Sequence, residues 1–220
     1  MFSRSFNVLK RAWYAAHRLH KLQIELQNIG KKFGGKYIFR HLNRTFHSGD
    51  HIGIVGQNGS GKSTLVQIIS GYLSASEGMV TYEGIPSDEI WKNISLCSPA
   101  MGLYEDFTLL EHLQFTHGLK SFEAAYAVNE IPEILQLEKH ANKALKYFSS
   151  GMKQRVKLGT ALLSDVSCVF LDEPCAHLDK DAEMWFSEFV VLSKKSKTVI
   201  VASNASESEL TGCSDIWTLS

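Results

Sequence analysis

Residues 56–64, which read GQNGSGKST, have the glycine spacing of a loop that binds phosphate groups. The three glycines let the backbone wrap closely around phosphate oxygens, so that successive N–H groups point inward. Lys62 is placed to reach the β- and γ-phosphates of a nucleoside triphosphate, and Ser63 to offer its hydroxyl to Mg²⁺. The candidate nucleotide contacts of this glycine loop are Gly56, Gln57, Asn58, Gly59, Ser60, Gly61, Lys62, Ser63 and Thr64. Kinases, GTPases and motors all use such loops, so the reaction has to be inferred from other segments.

An acidic pair in CVFLDEP, residues 168–174, supplies a second candidate site. The apolar run predicts a strand that delivers Asp172 to its carboxyl end, where Mg²⁺ would lie beside the phosphates. Glu173 follows directly and is placed to polarise an attacking water molecule as a general base. A base beside a metal carboxylate predicts that the phosphate bond is broken by water.

The surrounding elements have the order that these two sites require. HIGIVG predicts a strand that enters the glycine loop, and KSTLVQIISGYL has the periodicity of a helix that leaves it. VSCVFLDEP and KTVIVAS predict two further strands with a helical pattern between them, and this alternation predicts a parallel sheet. Between about residues 104 and 148 the patterns are helical and none predicts a strand, which indicates an inserted helical lobe.

Composition excludes several classes of protein. Residues 1–21 carry five basic side chains and no acid, so the rest of a chain with zero net charge carries about −5. The main body therefore offers no basic face for nucleic acid. No apolar run approaches the roughly 20 residues of a membrane span, and the four cysteines have no metal spacing. Residues 1–21 predict a basic peripheral extension, either a frayed leader, which we favour, or an amphipathic helix on an anionic membrane surface.

FSSGMKQR, residues 148–155, lies about twenty residues before the acidic pair. In this segment the chain resembles the nucleotide-binding domain of the ABC ATPases, the family that powers ABC transporters. That family has a signature of the form Leu-Ser-Gly-Gly-Gln at the start of a helix, and Ser149 and Gly151 match its serine and second glycine. Phe148, Ser150 and Met152 depart from the ideal, and the Ser-Ser-Gly-Met form is similar to that of some exporter subunits. A serine hydroxyl and backbone N–H groups at a helix start form a further anion site.

The resemblance extends from about residue 22 to the C-terminus. It implies one ABC ATPase domain over residues 22–220, with a helical subdomain at about 104–148. The implied fold is the α/β P-loop NTPase fold, with a mainly parallel sheet, an N-terminal antiparallel β subdomain and the inserted helical lobe. ATP and Mg²⁺ are the implied cofactors. Phe33 falls where the family stacks an aromatic ring on adenine, and Asp179 matches the aspartate of the dimer-contact loop.

The resemblance also implies partners. In the family the signature belongs to the opposite subunit, so Ser149 and Gly151 would act on ATP held by a second copy or by a paralogous ABC ATPase subunit. A separate transmembrane permease would dock on the helical lobe and hold the chain on the cytoplasmic face of the inner or plasma membrane. No nucleic acid is expected.

Two positions of the family pattern are missing, and both concern hydrolysis. The glutamine that helps to hold Mg²⁺ and links to the membrane partner is replaced by Ser98 or Pro99, since no glutamine lies between Gln67 and Gln114. The histidine expected after the strand TVIVAS is replaced by Asn204. An asparagine amide can donate a hydrogen bond to the γ-phosphate but cannot carry a charge. Hydrolysis is therefore expected to be slowed.

Two hypotheses follow from these residues. The first is an ATPase subunit of an ABC transporter, in which Glu173, Lys62 and Asn204 are catalytic and Ser63 and Asp172 bind the metal. The second is a nucleotide-gated regulatory or degenerate subunit that binds ATP and dimerises with little turnover. A small-molecule kinase would leave the signature and the acidic pair unexplained. The form of the signature favours export, and the transported substance is not encoded in this chain.

Overall fold

A computed structural model describes residues 22–193 and 197–219, whose eight strands form two sheets. The strands are β1 (Gln23–Phe33), β2 (Lys36–His47), β3 (His51–Val55), β4 (Glu77–Glu83), β5 (Ile94–Cys97), β6 (Cys168–Asp172), β7 (Thr198–Ser203) and β8 (Asp215–Thr218). An antiparallel sheet has the order β2-β1-β4, and a parallel sheet has the order β5-β6-β7-β3-β8. The predicted combination of a parallel sheet and an N-terminal antiparallel sheet is present.

Six α-helices accompany these sheets in the described residues. They are α1 (Lys62–Ile69), α2 (Ile90–Asn93), α3 (Leu109–Leu119), α4 (Ile131–Ile134), α5 (Ser150–Leu163) and α6 (Lys180–Ser193). The glycine loop lies between β3 and α1, and the acidic pair lies at the carboxyl end of β6. The strand–loop–helix order predicted for both segments is therefore confirmed.

The segment between β5 and α5 is less helical than its sequence pattern predicts. Only α3 exceeds two turns there, and its Thr108–Glu111 capping box fixes where it begins. The long pattern around residues 121–137 yields only a 3₁₀ turn and the four residues of α4. Pro132 lacks an N–H and is tolerated only in the first turn, and Gln136 has a positive φ of 57° that ends the helix. A separate helical lobe at 104–148 stays a prediction.

The hydrophobic core lies on both faces of the parallel sheet. Alternate residues of β6 point to opposite faces, so that Phe170 packs with the antiparallel sheet and α1, whereas Val169 and Leu171 pack with α3, α5 and α6. β3, β5, β6 and β7 are largely buried on both faces, as parallel strands usually are, whereas most of the edge strand β8 is exposed. This rigid sheet holds the residues at its carboxyl edge.

Three of the four cysteines, Cys97, Cys168 and Cys175, are buried free thiols. Burial raises the pKa of Cys97 to about 12, which disfavours the reactive thiolate. Over the described ranges no helix is long and apolar enough to cross a membrane. The prediction made for residues 1–21 lies outside the described residues.

Candidate functional site

The glycine loop adopts a conformation that only glycine permits at two of its positions. Gly61 has a φ of 94°, and a Cβ there would lie 2.6 Å from the Ile38 side chain. A Cβ on Gly56 would lie 2.4 Å from the Leu219 carbonyl oxygen. The backbone of the loop is therefore packed closely against β2 and the end of β8. The loop ends at the start of α1, where the first-turn N–H groups of a helix favour an anion.

Lys62 is buried within the glycine loop and bonds to the loop backbone. Its Nζ donates to the carbonyl oxygens of Gly56 at 2.9 Å and Gln57 at 3.2 Å, and the residue is buried. An ammonium has three donors, so one remains for a phosphate oxygen. Ser60 Oγ is also buried in the loop and has no partner among the described residues. A cation and an unsatisfied hydroxyl in one cradle fit a bound anion.

Asp172 lies between two serine hydroxyls at the edge of the sheet. Ser63 Oγ donates to its Oδ1 at 2.8 Å and Ser98 Oγ donates to its Oδ2 at 3.1 Å. Asp172 is 3% exposed, and burial raises the pKa of its carboxyl while the two hydrogen bonds oppose that rise. A carboxylate with hydroxyl oxygens is the hard donor set that Mg²⁺ prefers. No cluster of three or more His, Cys, Asp or Glu side chains suited to a metal occurs in the described part of the chain. The rest of a coordination sphere would therefore come from phosphate and water.

Glu173 forms a hydrogen bond with Asn204, which follows the neighbouring strand β7. Asn204 follows β7 and its Nδ2 donates to Glu173 Oε1 at 2.9 Å. The Glu173 N–H donates to the Ala202 carbonyl at 2.9 Å, and its φ of 47° turns the chain away from β6. Two of the three predicted catalytic residues, Glu173 and Asn204, are thus in direct contact. The sequence did not predict this hydrogen bond, which restrains the Glu173 carboxylate.

Glu209 is a residue of this site that the sequence analysis missed. Its Oε1 accepts from the Cys175 N–H at 3.1 Å and its Oε2 accepts from Ser203 Oγ at 2.5 Å. Burial raises the pKa of its carboxyl, and both hydrogen bonds oppose the rise. Because Cys175 lies two residues after Glu173 and Ser203 precedes Asn204, Glu209 joins the two loops that carry Glu173 and Asn204. In the sequence, Glu209 is one of two glutamates in the polar run SESEL, and nothing in that run distinguishes it from Glu207.

The predicted signature residues lie at the start of α5. Ser149 is the N-cap, and its Oγ accepts from the Met152 N–H at 3.2 Å. A Cβ on Gly151 would lie 3.0 Å from the His177 carbonyl, in the segment where the dimer-contact loop is predicted. Further along α5, the buried Gln154 donates from Nε2 to the Pro174 carbonyl at 2.8 Å. The helix that begins at the predicted signature is therefore bonded to the residue that follows the predicted base, Glu173.

Phe33 lies at the end of β1, away from these contacts. Its ring is 52% exposed, and the Lys31 Nζ lies 4.9 Å from the ring centroid. An exposed aromatic face is free to stack on a planar group. The structure records no direct contact between Phe33 and the glycine loop, so its role as the adenine platform stays a prediction.

A groove of about 340 Å³ opens between α3, α5 and the segment that follows β5. Its rim is apolar, with Tyr104 and Leu119 both more than half exposed. His112 is 7% exposed, and its Nδ1 has no hydrogen-bond partner among the described residues. Burial lowers the pKa of the ring, which favours a neutral imidazole. We call this cavity the α3–α5 groove.

The sequence matches the family model of ABC transporters over residues 39–176. The chain belongs to the ABC transporter ATP-binding family. It is 29% identical to the ABC transporter ATP-binding protein NatA of Bacillus subtilis, over 80% of this chain and 76% of that protein. It is 32% identical to the tungstate uptake system ATP-binding protein TupC of Peptoclostridium acidaminophilum, over 82% of this chain and 86% of that protein.

The fold of an ABC ATPase is confirmed by solved structures. A bacterial ABC transporter cassette that was solved as a dimer superposes with a TM-score of 0.72 at 24% identity, over 86% of this chain and 91% of that chain. ABC ATPases bind and hydrolyse ATP, which accords with a glycine loop that is hydrogen-bonded to the acidic pair through Ser63 and Asp172.

Proposed function

We propose that this chain is the ATP-hydrolysing subunit of an ABC transporter. Two copies, or one copy and a paralogue, close on two MgATP molecules and reopen after hydrolysis, and this motion drives a separate membrane permease. The observation that carries the proposal is the contact of Asp172 with Ser63, which joins the acidic pair to the glycine loop. Glu173 then lies one residue from the metal carboxylate, where it can act on a water beside the γ-phosphate.

The dimer is supported by the surface at the start of α5. Ser149 is exposed at the start of α5, where its Oγ caps the Met152 N–H, and the first turn of a helix is a position that favours an anion. A second copy would place its nucleotide there. MgATP would then be held by Lys62, Ser63 and Asp172 of one chain and by Ser149 and Gly151 of the other.

The permease is supported by the α3–α5 groove. Its apolar rim and its buried, unpaired His112 Nδ1 suit an apolar protein segment that also supplies one hydrogen-bonding group. The segment following β5 runs from Ser98 at the metal carboxylate to Met101 and Tyr104 at the groove. A permease in the groove would therefore touch the same segment that reaches the metal site. This docking would hold the chain on the cytoplasmic face of the membrane.

Steady-state ATP hydrolysis by the purified chain with Mg²⁺ tests this proposal, with Glu173→Gln as the blank. We expect turnover above the blank, because Glu173 remains. Loss of the positive charge at position 204 is expected to slow turnover by a factor of about 10² to 10³ relative to a site that has a cationic donor. Asn204→His should accordingly raise the rate.

A hydrolysis-impaired subunit is the second candidate, and the Asn204–Glu173 hydrogen bond favours it. The Asn204 amide occupies one oxygen of the Glu173 carboxylate in the nucleotide-free chain. This hydrogen bond has to break, or the carboxylate has to accept a second one, before Glu173 can activate a water molecule. ATP binding and dimer formation without turnover above the Glu173→Gln blank would establish this second function and contradict the first.

Docking in the α3–α5 groove is tested by Leu119→Ser. Leu119 is 58% exposed, and burying a leucine side chain contributes about 2 kcal/mol. We expect the fraction of the chain that sediments with membranes of its native host to fall about tenfold, with hydrolysis unchanged. Met184→Ser is the matched control, since Met184 is 61% exposed on α6, outside the groove. Equal losses for both variants would contradict docking in the groove.

A further inference from the structure

Ser98, and not Pro99, contacts the metal carboxylate. β5 and β6 run parallel with Cys97 paired to Leu171, so the next residues on both strands, Ser98 and Asp172, lie side by side. The Ser98 hydroxyl reaches Asp172 Oδ2 at 3.1 Å, and the residue is 1% exposed. Strand register therefore places a hydroxyl at the point where the family has a glutamine.

The Asp172 carboxylate accepts one hydrogen bond from each of two serines, Ser63 and Ser98. Ser63 bonds to one oxygen of Asp172 and Ser98 bonds to the other, so both hydroxyls present oxygen lone pairs at the same edge of the sheet. The Ser98 position is fixed by a turn, in which the Met101 N–H donates to the Ser98 carbonyl at 3.1 Å. A short side chain on a fixed backbone is a suitable positioning group for a small, hard cation.

We propose that Ser98 holds the nucleotide-bound Mg²⁺ in place of the missing glutamine. Its hydroxyl oxygen would join Ser63 and Asp172 in holding the metal, and its hydrogen bond keeps the Asp172 carboxylate oriented for the same purpose. The inference rests on the proposed function, because it requires a magnesium nucleotide at the glycine loop.

The replacement separates two tasks that glutamine performs together. A long glutamine side chain can hold the metal and also reach the membrane partner. Ser98 is buried and bonded to Asp172, so its side chain cannot extend into the α3–α5 groove. Contact with a partner in the groove is left to Met101 and Tyr104, which line it. In this chain, metal binding depends on a side chain that no partner touches.

The experiment measures the affinity of the full chain for a fluorescent ADP analogue in excess Mg²⁺ and in EDTA. For Ser98→Ala we expect the affinity of the nucleotide complex for Mg²⁺ to fall about 10- to 100-fold. Affinity in EDTA should be unchanged, because the phosphate contacts of Lys62 and the loop remain. Ser98→Thr retains the hydroxyl and should bind Mg²⁺ with at most a few-fold loss.

A change of metal preference separates metal binding from a structural role. Ser98→Cys is nearly isosteric and places a thiol at the site, and thiols prefer Cd²⁺ to Mg²⁺. We expect this variant to lose affinity in Mg²⁺ and to regain it in Cd²⁺. Ser167→Cys is the matched control, since it lies next to Cys168 as Ser98 lies next to Cys97, is 4% exposed and sits at the opposite end of β6. It should show the metal preference of the unaltered chain.

The inference is overturned if Ser98→Ala keeps its full dependence on Mg²⁺, or if Ser98→Cys and Ser167→Cys respond alike to Cd²⁺. Should Ser98→Ala fail to fold, the near-isosteric Ser98→Cys still decides the matter. No binding of the ADP analogue by the unaltered chain in either Mg²⁺ or EDTA would overturn the proposed function itself, and this inference with it. The two failures are therefore distinguishable.

Discussion

Lys62→Ala is expected to weaken MgATP binding about 100-fold. Its ammonium is buried in the glycine loop and donates to the Gly56 and Gln57 carbonyls, which leaves one donor directed to the phosphates. A hydrogen bond to a charged group contributes about 1.5–3 kcal/mol, and the upper end of that range corresponds to roughly 150-fold in affinity. Isothermal titration calorimetry with MgATP measures the change directly.

Lys92→Ala is the control for the loss of a positive charge. The Lys92 side chain is 54% exposed and its ion pair is with Glu89 one turn away, so its removal should leave ATP affinity unchanged. Thermal unfolding of both variants separates loss of binding from loss of structure. An affinity of Lys62→Ala within fivefold of the unaltered chain would show that the lysine serves only the conformation of the loop.

Lys197→Met is expected to destabilise the protein by about 3–5 kcal/mol. Lys197 is 2% exposed, and its three donors are all used, by Glu123 Oε1 at 2.6 Å and by the carbonyls of Leu162 at 2.5 Å and Ser164 at 2.6 Å. Burial lowers the pKa of the ammonium and Glu123 opposes this effect. Removing the lysine leaves a carboxylate of low exposure unpaired and takes a donor from the Leu162 carbonyl at the end of α5, whereas the Ser164 carbonyl still accepts from the Val166 N–H.

Urea denaturation monitored by circular dichroism measures this loss. The double variant Lys197→Met with Glu123→Met should be more stable than Lys197→Met alone, because it removes the uncompensated charge. Lys146→Met is the control for an exposed pair, since its partner Asp106 is 88% exposed, and it should change stability by at most about 1 kcal/mol. A change below 1 kcal/mol for Lys197→Met would mean that water reaches the ammonium.

The glycine loop and the acidic pair could be predicted because their chemistry is local in sequence. Nine consecutive residues specify the loop around Lys62, and the apolar run of β6 fixes where Asp172 must emerge. The pairing of Asp172 with Ser63 follows from parallel strands that end at one edge. Local patterns of this kind do not depend on how distant segments pack.

Other features depend on contacts between distant residues, and the sequence did not reveal them. Ser98 and Asp172 are 74 residues apart, and only the β5–β6 register shows which residue after Cys97 meets the carboxylate. Glu209 could not be told from Glu207, because the difference between them is burial. The region before α5 has helical periodicity but few helical turns, since Pro132 and the positive φ of Gln136 interrupt it.

The hydrogen bond from Gln154 to the Pro174 carbonyl has a thermodynamic consequence. It joins the helix that begins at Ser149 to the residue after Glu173, so a change at either end alters the free energy of the other. Such linkage is reciprocal. If a ligand at the start of α5 changes the affinity of the glycine loop for ATP by some factor, ATP changes the affinity for that ligand by the same factor. Measuring either affinity in the presence and absence of the other ligand therefore yields the same coupling free energy, and Gln154→Ala should reduce it in both directions equally.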